Sequence, residues 1–94
     1  MSIDKCKDIL KRRTRNMLML PRVEKIYVML NGDNTYVAFI LADMHTDAER
    51  GSTELMIKRM FDDIDNFTTY VYNPDTYKEK LRGYIRIWRK GYGF

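Results

Sequence analysis

Cysteine, histidine and tryptophan each occur once in this chain of 94 residues, and proline twice. One cysteine cannot close an internal disulfide, so the fold is expected to rest on its core alone, and such usage fits a reducing compartment. Cys6 falls on the apolar side of a helical pattern and reads as a small core hydrophobe. A lone His45, with no serine or thiol motif to work with, leaves imidazole catalysis a single unsupported candidate. Long apolar runs are missing as well. The longest uncharged one, Tyr36 to Ala42, is far short of the roughly 20 residues that a membrane helix needs. No apolar signal core stands near the start, so a cytoplasmic, non-membrane chain is expected. Repeats, linkers and low-complexity stretches are absent too.

What remains is 45% hydrophobic and 32% charged, the balance of one globular α+β domain spanning residues 1–94. The net charge of +4 is unevenly spread. Lys11, Arg12, Arg13, Arg15, Arg22 and Lys25 crowd one end, Lys78, Lys80, Arg82, Arg86, Arg89 and Lys90 the other, and aspartates fill the middle. If the two ends meet, the protein has one positive face.

Apolar residues at steps of three and four predict a first helix from Ile3 to about Met17, with Ser2 as N-cap. Pro21 ends it. Two β-branched and aromatic runs, Val23–Leu30 and Tyr36–Ala42, flank Asn31-Gly32-Asp33-Asn34 and predict a hairpin. Its first strand sets Ile26, Val28 and Leu30 on one face, and Tyr27 and Met29 with Lys25 on the other. The second is apolar on both faces, as a central strand covered on both sides would be.

Helical spacing returns from Ser52 or Thr53 to about Asp65, and Thr46 with Glu49 has the spacing of a capping box that would start the helix earlier. Phe67–Tyr72 is a third strand, Pro74 sits at the first position of a short helix reaching Leu81, and Tyr84–Trp88 is a half-buried fourth strand in which Ile85 and Ile87 alternate with polar neighbours. The order is helix, strand, strand, helix, strand, short helix, strand, with a mixed or antiparallel sheet packed by helices.

Asp43, His45 and Asp47 alternate beyond the second strand, but without a fourth ligand they read as a polar loop, and no metal or cofactor is expected. Asp62, Asp63 and Asp65 crowd the end of the second helix, where the macrodipole disfavours carboxylates. Lys58 and Arg59, one turn back, are the expected counter-charges. The clearer signal is basic. Lys11-Arg12-Arg13-Thr14-Arg15 packs four cations into five residues, a density suited to phosphates. Arg86, Arg89 and Lys90 lie among Tyr84, Trp88, Tyr92 and Phe94, and aromatics interleaved with arginine stack on unpaired bases. Lys11, Arg12, Arg15, Arg86, Trp88, Arg89 and Lys90 are therefore the candidate partner-binding residues.

Tyr72-Asn73-Pro74, Tyr77-Lys78-Glu79 and Arg89-Lys90-Gly91-Tyr92, with the strands "VEKIYVML" and "YVAFILAD", resemble the minimal nucleotidyltransferase domain, a relative of the DNA polymerase beta palm, over residues 22–94. That family grips phosphates with a Gly-Ser turn and holds two metal ions with three carboxylates. Here Leu30-Asn31-Gly32-Asp33-Asn34 replaces the turn, Tyr36-Val37-Ala38 stands where paired acids start the second strand, and Thr68 replaces the third acid. Two-metal chemistry needs those oxygen ligands. The resemblance thus implies a degenerate member with no catalytic residues.

Together these features predict a non-enzymatic binding protein, an inhibitor or regulator of a protein or nucleic-acid partner with an anionic surface, of the sort that viruses and mobile elements encode. The alternatives are a nucleic-acid-binding module using the basic helix and aromatic C-terminus, and a residual nucleotidyltransferase-like enzyme.

Overall fold

The computed structural model describes residues 1–14 and 22–94. Helix α1 (Ile3–Arg13) begins where the Ser2 hydroxyl accepts the Lys5 N–H at 3.1 Å, and it closes at Thr14, whose N–H bonds the Leu10 carbonyl. The expected end at Met17 lies outside the described residues. Cys6 and Leu10, one turn apart, are fully buried.

Strands β1 (Val23–Asn31) and β2 (Asn34–Leu41) form the hairpin around a two-residue turn, Gly32-Asp33. Gly32 takes φ +60°, the left-handed value that the first central position of a type II′ turn requires. A bulge between Val23 and Lys25 turns Val23 to the same face as Ile26 and Val28.

Helix α2 (Asp47–Met60) takes the earlier of the two predicted starts. The Thr46 hydroxyl accepts the Glu49 N–H at 3.2 Å while the Glu49 carboxylate accepts the Thr46 N–H at 3.0 Å, so two orphan donors of the first turn are satisfied and Gly51 is carried inside the helix. It also ends earlier than Asp65, capped at Phe61. Asn66, in the left-handed region at φ 56°, then turns the chain into β3 (Phe67–Tyr72).

Strand β3 runs parallel to β2, with α2 as the crossover. Pro74 lies in a turn closed by the Thr76 N–H and the Asn73 carbonyl, and the short helix α3 (Tyr77–Lys80) follows it rather than beginning at Pro74. Strand β4 (Ile85–Arg89) pairs antiparallel with β1. The sheet is mixed, in the order β3-β2-β1-β4.

Helices α1 and α2 cover one face, over a core of Leu10, Val28, Phe39, Leu41, Ile57, Phe61, Val71 and Ile87. On the other face Tyr77 and Leu81, from α3 and its end, close over Ala38 and Ile40. β2 is therefore central and buried on both sides, the physical reason its sequence is apolar throughout. Simple alternation fails in β4. Ile26 pairs with Trp88 but Tyr27 with Arg86, so Ile87 is an extra residue, and both Ile87 and Trp88 turn toward the helix-side core. Ile85, expected to share the buried face, is 57% exposed.

Candidate binding surface

The β1–β4 register brings Lys25, the last cation of the N-terminal basic group, beside Arg86 and Arg89 on the face covered by α3. Arg86 pairs with Tyr27 and Arg89 with Lys25. Neighbours directly opposite in an antiparallel pair share a face. The Lys25 ammonium donates to the Tyr77 hydroxyl at 3.1 Å and lies 5.5 Å from the centre of its ring. The Tyr27 and Tyr77 rings meet at 5.9 Å. That lysine hydrogen bond holds the Tyr77 phenol below its ordinary value, with the charges of Lys25 and Lys78 adding to it. Burial raises Tyr27, against the opposing charges of Lys25 and Arg86. Three cations from β1, α3 and β4 thus act on one pair of rings, and Arg89 stands beside them.

At the far end of β4 the Arg89 guanidinium lies 4.8 Å from the Tyr92 ring, which is 78% exposed. Lys90 is exposed, and its N–H bonds the Glu24 carbonyl at 2.9 Å. Trp88 has a different place: it is half-buried, its ring 6.3 Å from that of Phe94 on the helix side of the sheet. The exposed aromatic of this end is Tyr92. Sequence reasoning had Lys25 on the correct face but could not join it to Lys78, 53 positions on by sequence numbering, because only the docking of α3 onto the sheet does so.

The basic helix is on the opposite side. Lys11 and Arg12 are exposed on α1, Arg15 lies outside the described residues, and Arg13 reaches across to the end of α2. Its guanidinium grips both carboxylate oxygens of Asp63, donates to the Met60 carbonyl at 2.7 Å and sits 5.7 Å from the centre of the Phe61 ring. The counter-charge for Asp63 is thus Arg13 of another helix, not Lys58 or Arg59, and Lys58 instead reaches Glu54 at 3.3 Å. The bonds from Arg13 hold the Asp63 carboxyl below its ordinary value.

Two other places carry polar chemistry. Asp43, His45 and Asp47 do not gather: among the described residues no three metal-ligating side chains cluster. Instead the His45 ring nitrogen Nδ1 lies 2.7 Å from the Asp43 carbonyl, and the Asn73 amide clasps the His45 main chain through two bonds of 3.0 Å. Beside it, at the carboxyl ends of β2 and β3, opens a cleft of about 400 Å³ lined by Asp47, Arg50, Tyr72, Asn73, Asp75 and Lys80, in which the charges of opposite sign balance. Tyr84 is pushed up to about 12, first by burial and then by Tyr72, Tyr70 and Tyr36.

Tyr36 and Thr68, two of the positions where the transferase resemblance would need carboxylates, are direct neighbours across β2 and β3. No family model, curated protein or solved structure matches the chain.

Proposed function

We propose that the chain is a non-enzymatic binding protein, a small regulator of a macromolecular partner, and that its α3-side patch takes the phosphate backbone of single-stranded nucleic acid. The observation that carries this reading is Lys25, held on the Tyr77 hydroxyl, with Arg86 and Arg89 beside it across the β1–β4 ladder and the exposed Lys78 next to Tyr77 on α3. Cations gathered from separate elements favour a multiply charged anion, whose binding releases counterions. The Tyr77 hydroxyl fixes the aim of Lys25, and the exposed Tyr92 ring, backed by Arg89, offers a face on which an unpaired base stacks. Lys11 and Arg12 face away from this patch and are not part of it.

Titrating a labelled single-stranded oligonucleotide over a range of salt tests the reading. The double variant Lys78→Glu, Arg86→Glu replaces exposed side chains and leaves the fold intact, yet it is expected to weaken binding tenfold or more and to flatten the salt slope by about 0.7 for each phosphate that is no longer neutralised. Lys11→Glu with Arg12→Glu is the control and changes affinity little. Unchanged binding in the first variant overturns the assignment. On this reading magnesium with nucleoside triphosphate leaves the thermal midpoint where it was and no labelled nucleotide is transferred; a shift of several degrees would restore the transferase reading.

A further inference from the structure

We propose that the cleft at the carboxyl ends of β2 and β3 is a base-reading subsite that takes guanine from the single strand bound beside it. The inference deepens the reading above and rests on it: the cationic patch holds the phosphates, and the cleft adds a preference among the bases.

Patch and cleft share one short helix. α3 gives Tyr77 and Lys78 to the patch and Lys80 to the cleft, and helical residues rise by about 1.5 Å each, so less than one turn separates them. A strand whose backbone lies on Lys25 and Lys78 therefore brings a neighbouring base to the cleft. Its volume of about 400 Å³ falls among those of small-ligand sites, roughly 300–1,000 Å³.

The polar groups of the cleft are of two kinds. Some are already taken. The Arg50 guanidinium donates to Glu54 at 2.9 Å and to the Val71 carbonyl at 3.2 Å, and the Asn73 amide clasps the His45 main chain. Others are free among the described residues. Asp47 and Asp75 are exposed carboxylates with no hydrogen bond or ion pair, and Lys80 meets only the Tyr72 ring, its ammonium 5.9 Å from the ring centre. The wall between them is aromatic: Tyr72 is half-buried, its ring 6.0 Å from that of Tyr70 and nearly parallel to it. Met44, 60% exposed, lines the same cleft with the soft, adaptable side chain that suits the face of a flat ring.

An aromatic wall accepts any base, since every base has a π-face. The free charges choose among them. A carboxylate only accepts and an ammonium only donates. Guanine presents on its pairing edge one acceptor, O6, beside two adjacent donors, N1–H and the 2-amino group, so one carboxylate takes both donors while Lys80 leaves the ring for O6. Thymine and uracil flank their one donor with two acceptors, which carboxylates repel, and adenine and cytosine set a single amino group beside a ring nitrogen that only accepts. The opposed charges that make the cleft poor for phosphate are thus those that suit guanine.

Fluorescence anisotropy of a labelled thymidine oligonucleotide, with and without one guanine at its middle, tests the subsite. The guanine is expected to raise affinity about tenfold at every salt concentration, because the added contacts neutralise no phosphate. Inosine in its place lacks the 2-amino group and is expected to lose most of that gain. In the double variant Asp47→Asn, Asp75→Asn, which replaces exposed side chains, the two oligonucleotides are expected to bind alike. Equal binding of both by the parent protein, a gain that inosine keeps, or a gain that survives the double variant overturns the subsite and leaves the cationic patch standing. If neither oligonucleotide binds at low salt, the patch itself is overturned, and the subsite with it.

Discussion

The two edges of this sheet are built in opposite ways. Strand β4 carries Arg86 and Arg89, bends at the Ile87 bulge, and is closed at its end by the last residues, where Gly93 bridges back to Arg89 and Phe94 packs on Trp88. Charge, bulge and cover are the three common defences against strand addition. Among the described residues, strand β3 has none of them apart from the single bond from Arg50. The same chain thus places its arginines on one edge, where they also build the cationic patch, and leaves the other neutral, aromatic and β-branched. The chemistry of the two edges thus differs across one sheet: charged and bulged at β4, neutral at β3.

The largest expected effect tests how differently the edges are anchored. The Phe61 ring is buried, 5.1 Å from Phe67 of β3 and 6.2 Å from Phe39, so Phe61→Ala is expected to cost about 3–5 kcal/mol in denaturant unfolding. Ile87→Ala removes the corresponding anchor of β4 and is expected to cost about 2 kcal/mol, because the residue is smaller and lies at the rim of the core. Equal losses would mean that the edges are held alike.

A smaller effect, in alkali, joins the two edges. Tyr84 leads into β4, yet its phenol is raised from 10.0 to about 12 by burial and by Tyr72 and Tyr70 of β3. A folded value above the unfolded one gives stability that is whole below pH 10 and lost as pH rises toward 12. Tyr84→Phe is expected to flatten the decline in thermal midpoint over that window, and an unchanged decline would separate Tyr84 from the β3 tyrosines.

The smallest effect is at the acid end, beside the start of β3. Arg13 holds Asp63 below its ordinary 3.8, so this contribution is complete above that value and fades as pH falls through the folded one. In Arg13→Ala the stability curve should lose part of its acid slope while keeping its shape near neutrality. The pair is exposed, so high salt should mute the difference.

Much of this protein was legible without its structure, and the reason is range. The Ser2 cap, the Thr46–Glu49 capping box, the Gly32 turn and the apolar alternation of β1 and β2 are each decided by residues within a few positions of one another, where the chain's own geometry is the only arbiter. The α+β order and the central place of β2 followed from them. Even so, Ser52 competed with Thr46 as a start for α2, since Gly51 weakens a helix locally and only the completed capping box offsets it.

The remaining features depend on where distant segments come to rest. Periodicity cannot report a bulge, so Ile85 and Ile87 were equivalent by pattern until the pairing with β1 set one in the core and one in solvent. Arg13 was one of four equal cations in a basic run, and Asp63 a charge for Lys58 or Arg59 to balance, until α1 packed beside the end of α2 and joined the two. Lys25, Lys78 and Arg86 became neighbours only when α3 and β4 docked on β1. That β3 is parallel, and last in the sheet, was decided by the crossover of α2. The sequence by itself determined the elements, because hydrogen bonds and side-chain period act locally; the tertiary structure alone decided the patch and the strand order, because charge proximity and edge position exist only once the sheet has closed.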